Sequence, residues 1–235
     1  FNYSEHEKLV FNIKHGLNTH PIWLNTYLNN YKYQSSLILE CYEDDILIGF
    51  LPLVVKNEKD NRFFNLKKVI PCGYYPSDFF SIPVMPGKEN LFAVEIAHWF
   101  NNNIKLWDRV FINLIPDVGS FWKILIEELK QYFTIKLNKS NNFLYIDTSG
   151  SHDDYMKNLG NKKNKYLRYI QNKFERDIGK IELIHYDNEL VQHLDEFLKI
   201  YSRRKNNLNQ INPFDNTKEL KQFKKDIFQH YEEKG

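Results

Sequence analysis

Two apolar runs on either side of an acidic pair constrain the fold of this chain more than any other feature of its sequence. The runs SLILECY and ILIGFLPLVV flank Asp44 and Asp45, which predicts a hairpin of two strands over residues 36–42 and 46–55. Neither run alternates apolar with polar residues, and such runs are typical of strands buried on both faces. We therefore expect a sheet that is covered on both sides.

A third extended segment, over residues 66–84, is interrupted by the sequence PCGYYPSD. Pro52 in the second apolar run cannot donate to a sheet ladder, so we expect that run to carry a bulge or to lie partly at an edge. An interrupted strand frees backbone groups and redirects side chains, and so can line a cleft. The side chains that it presents here are Tyr74, Tyr75, Ser77 and Asp78. The alternative is a Pro/Gly turn with a capping aspartate.

Helical and extended patterns alternate through the rest of the first 150 residues. A helix with Pro21 in its first turn, capped by Asn18 or Thr19, precedes the hairpin. After the third extended segment the pattern predicts a helix that opens at residues 87–90, a strand at 107–114, a helix that begins at Asp117 or Ser120, and strands at 133–137 and 143–146. These elements define a first domain at residues 1–150.

From Ser151 the pattern changes to long helices, and the first is amphipathic with a basic face. Ser151 and Asp154 have the spacing of a capping box. One side of the helical wheel is apolar, with Leu167, Ile170, Phe174 and Ile178, and the opposite side is basic, with Lys162, Lys165, Arg168 and Arg176. The basic face either binds phosphate groups of a CoA, a lipid-linked precursor or RNA, or is a solvated face. Lys163 projects toward the apolar side, where it snorkels, precedes the helix or belongs to a site.

The remainder of the chain predicts one short strand and two more helices. The strand covers residues 180–186, and the next helix carries an apolar stripe from Leu190 to Tyr201 with Arg203 near its end, where cations suit the helix dipole. Thr217 caps the last helix. Residues 151–235 therefore form a second, mostly helical segment.

Charge and cysteine content exclude several classes of protein. Lys and Arg number 32 against 30 Asp and Glu, a net charge of +2, so no DNA-binding field is expected and any basic function lies in a local patch. Cys41 and Cys72 lack the spacing of zinc ligands, so we expect no metal and a reducing, cytoplasmic setting. No apolar run approaches the roughly 20 residues that span a bilayer. Because the chain begins at Phe1, we expect it to be a piece of a longer protein.

Four stretches resemble a known acetyltransferase family in their order and spacing. They are GFLPLVV at 49–55, KKVIPCGYYPSDFF at 67–80, WDRVFINLIP at 107–116 and YMKNLGNKKNKYLRYIQNKFERDIGKIEL at 155–183. The chain resembles the GNAT superfamily, and within it the BioF2-like, cellulose-biosynthesis-type acetyltransferases, which are related to the Fem aminoacyltransferases. The resemblance implies an α/β protein of the α+β type: a mixed, mostly antiparallel GNAT-like sheet with flanking helices at 1–150, and the start of a second, incomplete GNAT-like domain at 151–235.

The resemblance also implies an activity, the transfer of an acyl group from acetyl-CoA or another acyl-CoA to an amine. The substrate would be a small molecule or an envelope or polysaccharide precursor. Asp78 and Tyr75 are the catalytic candidates and Tyr74 and Ser77 the substrate-binding ones. The candidates for anionic groups are Lys162, Lys163, Lys165, Arg168 and Arg203. The phosphate loop of the superfamily would fall near residues 83–90, where the sequence offers only Gly87.

Two other functions remain open at this point. One is a non-catalytic GNAT-like module, in which the first domain binds a partner or an envelope precursor and no cofactor. The other is a transferase of the Fem type that uses aminoacyl-tRNA, with RNA bound by the basic helix. RNA binding would weaken steeply with salt and would be lost when the basic face is neutralised.

Overall fold

The computed structural model of the protein describes residues 3–13, 17–60, 64–73, 80–113, 115, 120–138, 149–180, 182, 184 and 189–234. The strands are β1 (Ser35–Glu43), β2 (Ile46–Asp60), β3 (Phe64–Pro71) and β4 (Arg109–Val110). The helices are α1 (Tyr3–Asn12), α2 (Pro21–Asn30), α3 (Glu89–Asn102), α4 (Ser120–Lys130), α5 (His152–Asn158), α6 (Gly160–Asp177), α7 (Leu190–Asn207), α8 (Pro213–Asn216) and α9 (Lys218–Lys234). A mixed sheet with flanking helices confirms the predicted α+β class.

The chain divides into two compact units. The first comprises Phe1–Lys139 and Asn188–Gly235 and contains the sheet, and the second comprises Ser140–Asp187 and contains α5 and α6. Helix α9 belongs to the first unit because it packs on α2, with the rings of Trp23 and Phe223 4.8 Å apart. The predicted division of the chain into domains at residues 1–150 and 151–235 stays a prediction.

The sheet is antiparallel except at one edge. Strands β1, β2 and β3 pair antiparallel in that order, and β4 adds parallel to β3. Asp44 and Asp45 have φ angles of 48° and 62°, and a two-residue hairpin loop that follows the twist of its strands requires such positive values. The connection from β3 to β4 passes through α3, since parallel neighbours need a crossover.

Both faces of the sheet are buried, as the continuous apolar runs predict. One core lies between the sheet and helices α3 and α4, and the other lies between the sheet and helices α1, α2 and α9. Because successive strand residues point to opposite faces, Leu51 and Leu53 enter the first core whereas Phe50 and Val54 enter the second. All four side chains have no exposed surface.

Two predicted strands differ from the structure. The strand predicted at 107–114 is reduced to two residues, because its parallel ladder ends with the bonds from Asp108 N to Lys67 O at 2.9 Å and from Phe111 N to Val69 O at 2.9 Å. The strand predicted at 133–137 is absent, since residues 134–138 are irregular. Residues 131–133 instead continue the end of α4, with main-chain bonds back to Glu128 and Leu129.

The N-terminal region contains a helix that the apolar pattern does not predict. Among the α1 side chains that the structure describes, only Leu9 and Val10 are buried and apolar, which is too few for a recognisable stripe. The cap of α2 is His20, whose Nδ1 accepts a bond from Ile22 N at 3.3 Å, and not one of the two residues before it. Because histidine is an uncommon N-cap, the sequence pattern did not indicate His20 as the cap.

Two further predicted strands fall largely outside the described residues. The strand at 143–146 lies wholly outside them. Of the strand at 180–186 the structure describes residues 180, 182 and 184, and none of these is in a strand. Both strands stay predictions.

Candidate functional site

The interruption predicted in the third strand is present in the sheet. Strand β3 ends beside Pro52, whose carbonyl accepts a bond from Cys72 N at 2.9 Å. The chain rejoins β2 at Pro83, whose carbonyl accepts a bond from Phe50 N at 3.1 Å. Since Phe50 and Pro52 are separated by a single residue, the chain leaves the sheet and returns to it at neighbouring positions. The described residues on either side of residues 74–79 therefore meet the same strand, β2, at neighbouring positions.

Pro52 lies where its missing N–H costs least. In an antiparallel ladder the N–H and C=O of one residue point to the same neighbouring strand, and the Pro52 carbonyl points to Cys72. The Pro52 nitrogen therefore faces the position at which β3 leaves the sheet. Sequence reasoning required a bulge or an edge at Pro52, and the structure provides the end of a neighbouring strand there.

The described residues on both sides of residues 74–79 are held by buried contacts. Trp23 Nε1 donates to Gly73 O at 3.1 Å, and Gly73 has a φ of 76° with Trp23 and Leu24 so close that an added Cβ would lie 3.1 to 3.2 Å from them. At the other end Phe80 is buried, with its ring 5.9 Å from that of Trp122. Gly73 thus packs against α2 and Phe80 against α4. The predicted site residues Tyr74, Tyr75, Ser77 and Asp78 lie between these two positions in the sequence, outside the described residues.

The N-terminus of α3 is where the family resemblance places the phosphate groups of the acyl donor. Gly87 has a φ of 82° with no atom within 4 Å of an added Cβ, and Lys88 at the cap makes no side-chain bond to the first turn. That backbone geometry suits an anion. The charges do not, because Lys88 forms an ion pair with Glu43 and Glu89 lies in the first turn. The described residues of this turn therefore do not fit a pyrophosphate.

The basic face of α6 is fully accessible. Lys162, Lys163, Lys165 and Arg168 are all exposed, and α6 buries no residue among those described. Its apolar stripe is also open, with Leu167 exposed by 42%. Lys163 lies toward this stripe, as predicted from the helical wheel. The structure thus brings these four cations together on one helix.

Arg203 belongs to a different unit of the chain from these cations. It is exposed on α7, which belongs to the unit that contains the sheet, whereas α6 belongs to the other unit. The predicted grouping of Arg203 with the basic face stays a prediction.

A groove between β1 and α3 was missed by sequence reasoning. It has a volume of about 510 Å³ and is lined by Leu39 and Cys41 from the strand and by Phe92, Glu95, Ile96 and Trp99 from the helix. The volume lies within the usual range of ligand sites. In the sequence, the groove is marked by Glu95 and His98, two polar residues that interrupt the apolar residues of α3. In the structure both are exposed beside the buried stripe of that helix.

Similarity to known proteins gives no further information on these sites. Comparison of the chain with family models, curated proteins and solved structures found no match. The sites above therefore stand on their geometry and on the sequence resemblance alone.

The chemistry of the two thiols argues against a cysteine nucleophile. Burial raises the pKa of the Cys72 thiol far above its ordinary value, and Cys72 is 2% exposed. Burial, followed by the negative charges of Glu95 and Glu43, also raises the pKa of Cys41. A thiol is nucleophilic only as the thiolate, so both cysteines are structural near neutral pH.

Within the described ranges, no group of three or more His, Cys, Asp or Glu side chains is placed to hold a metal ion. In that part of the chain, no helix combines the length and the apolar character needed to cross a bilayer.

Proposed function

We propose that the protein is an acyltransferase of the GNAT superfamily that transfers an acyl group from a CoA thioester to an amine. One observation carries the proposal: the candidate residues 74–78 directly follow the carboxyl end of β3 in the sequence, and β3 is the strand that has a parallel neighbour, β4. Ligands of sheets with parallel strands bind in the crevice beyond those carboxyl ends. The four sequence stretches that resemble the cellulose-biosynthesis-type family give the reaction its class.

In the proposed reaction, four residues between 74 and 78 have specific roles. Asp78 accepts the proton of the amine, the amine nitrogen attacks the thioester carbonyl, and the Tyr75 hydroxyl donates to the oxyanion that forms. The carbon–sulfur bond then breaks and the thiolate of CoA leaves. Tyr74 and Ser77 orient the amine substrate, a small molecule or an envelope or polysaccharide precursor. The buried contacts of Gly73 and Phe80 support this assignment, because catalysis by alignment of the amine with the thioester needs the surrounding chain to be held in place.

The anionic groups of the donor need a site other than the first turn of α3. Glu43 and Glu89 oppose phosphate there. We assign these groups, or those of an anionic acceptor, to Lys162, Lys165 and Arg168 on the basic face of α6, to Lys163 beside the apolar stripe, and to Arg203. We place the reaction in the cytoplasm, where acyl-CoA donors are available.

Calorimetric titration with acetyl-CoA tests the proposal. The 235-residue chain and the full product of its gene are each titrated, with CoA and ATP as control ligands. Saturable binding of acetyl-CoA that exceeds binding of ATP supports a CoA-dependent transferase. If neither protein binds acetyl-CoA, the acyl-CoA proposal is wrong.

Variants separate the proposed roles. Replacing Lys162, Lys165 and Arg168 together by Gln should weaken acetyl-CoA binding at least tenfold, because each cation contributes a charge-assisted contact. The matched control replaces three exposed lysines of the other unit, Lys199, Lys218 and Lys221, by Gln and should leave binding unchanged. An Asp78→Ala variant that transfers acyl groups at the parent rate would remove Asp78 from the role of base.

A second candidate function is a non-catalytic binding module. The observation that favours it is the acidic first turn of α3, where Glu89 stands at the position that would face phosphate. This function requires that the full product of the gene binds an amine or envelope-precursor ligand but not acetyl-CoA. The same titrations therefore decide between the two functions.

A further inference from the structure

Edge strand β1 has main-chain groups that pair with no other described strand. Ile38 lies opposite Pro52 and Glu40 lies opposite Phe50 in the β1/β2 register. The main-chain groups of Pro52 and Phe50 point to the other side, where they bond to Cys72 and Pro83. Opposite residues of an antiparallel pair point their main-chain groups either both inward or both outward.

It follows that alternate residues of β1 face away from the sheet. The N–H and C=O groups of Ser36, Ile38 and Glu40 point outward, whereas those of Leu37 and Leu39 point to β2. Within the described part of the chain no strand pairs with this edge, because β1 is the first strand in the sheet order. An edge of this length is a ready template for another strand.

The groove lies along this same edge. Helix α3 forms its second wall, with Phe92, Ile96 and Trp99 as apolar side chains and Glu95 as an exposed acid. A strand added to β1 would place every second side chain under this wall, since strand side chains alternate between faces. The edge therefore provides main-chain bonds and side-chain contacts together, the two components of strand addition.

Charge determines which strand fits. Glu40, Glu43 and Glu95 lie along the edge and its groove; Glu40 lies 2.8 Å from His6, and Glu43 is paired with Lys88. Glu95 makes no ion pair with any described residue. A second copy of the chain would bring the same acids to the edge and would be repelled, whereas a basic strand would be attracted.

We propose that the β1 edge and the β1–α3 groove bind an extended basic peptide segment of another protein as an added strand. The segment pairs with the outward groups of Ser36, Ile38 and Glu40, places apolar side chains against the half-buried Leu39 and Trp99, and places a Lys or Arg beside Glu95. This surface lies on the edge of the sheet opposite β4, so the proposal does not depend on the acyltransferase reaction.

A peptide titration followed by NMR tests the proposal. The probe is an acetylated and amidated hexapeptide that carries valine, lysine and valine on one strand face and threonine on the other, because Glu95 and the apolar wall lie on the same side of the added strand. The control replaces the lysine by glutamate. Addition of the lysine peptide should slow the hydrogen exchange of the Ile38 and Glu40 amides about tenfold, the effect of a hydrogen bond. The amides of Leu37 and Leu39, which already bond to β2, should change little.

N-methylated peptides distinguish strand addition from general attraction. Two versions of the lysine peptide carry N-methyl groups on alternate amides, one on each edge. One version should lose binding and the other should keep it, because only one edge of the added strand faces β1. Equal binding by both versions would show that no strand is added. Equally slowed exchange with the glutamate peptide would show that the added strand need not be basic, and either result overturns the proposal.

Protein variants test the charge and the edge. Glu95→Gln should weaken binding of the lysine peptide several-fold, while Glu89→Gln on the same helix, outside the groove lining, should not. Ile38→Pro removes one outward donor without removing a bond to β2, and should abolish binding. If exchange at Ile38 slows with protein concentration in the absence of peptide, the occupant is a second copy and the proposal is wrong.

Discussion

Helices α3 and α6 have similar sequence patterns and opposite environments. Both carry an apolar stripe at helical spacing. The stripe of α3 is packed on the sheet, with Phe92 and Phe100 buried, whereas α6 buries no residue among those described and exposes Phe174 by 37%. An amphipathic pattern therefore predicts a helix but does not show what covers it.

The two helical regions are also stabilised differently at their starts. Helix α3 has no side-chain cap, and burial of one face compensates for this. Helix α5, which precedes α6, has a complete capping box between Ser151 and Asp154 and buries no described residue. Local bonds matter most where tertiary packing contributes least. The predictions below test this contrast.

The largest effect should come from removing one phenyl ring from each region. Phe92→Ala in α3 should lower the free energy of unfolding by about 3–5 kcal/mol, because the ring is fully buried between Phe121 and the Gly49 backbone. Phe174→Ala in α6 should lower it by less than about 1 kcal/mol. Urea unfolding followed by circular dichroism measures both. Equal losses would mean that the stripe of α6 is packed in solution.

A second contrast lies within the sheet unit, between two glycines with positive φ. Gly73→Ala should cost about 2–4 kcal/mol, because it combines backbone strain with contacts of 3.1 Å to Trp23. Gly87→Ala should cost only the strain, about 1–2 kcal/mol, since nothing lies within 4 Å. Thermal unfolding compares the two. A larger loss for Gly87→Ala would show that the loop start is less tightly packed than Trp23 and Leu24 indicate.

Some of this fold could be read from the sequence because local chemistry decides it. The acidic pair at Asp44 and Asp45 can adopt positive φ, and the apolar runs on either side leave little choice but a doubly buried hairpin. The interruption of the third strand was visible because its prolines and glycine cannot continue a ladder. The same reasoning located the start of α5 from Ser151 and Asp154.

Other features depend on contacts between distant residues, which no local pattern contains. The packing of α9 on α2 through Asn30 and Asp226 joins residues 196 positions apart. The groove between β1 and α3 exists because β1 is an edge, and strand order is a property of the whole sheet. The two-residue length of β4 likewise depends on how far β3 extends beside it. Only the structure could supply these.

A smaller effect is expected from removing the cap of α5. Ser151→Ala should destabilise the helix by about 1 kcal/mol, because the Asp154 amide loses its acceptor, the Ser151 hydroxyl. The Cα chemical shifts of residues 152–158 should move toward random-coil values, while those of α3 should not change. Unchanged shifts in α5 would show that contacts other than the capping box hold it.

The smallest effect is an acid dependence of the same helix start. Hydrogen bonds from the Ser151 side chain and then from its backbone lower the pKa of Asp154. A carboxyl whose pKa is lowered by folding stabilises the helix fully above its unfolded value of about 3.9, and that contribution is lost as the pH falls through the folded pKa. The helicity of α5 should therefore be constant from pH 7 to about pH 5 and decline below pH 4. The Ser151→Ala variant lacks the main cause of the lowered Asp154 pKa, so its α5 should show a weaker acid transition at a higher pH. An identical transition in both proteins would mean that another carboxyl group causes the transition.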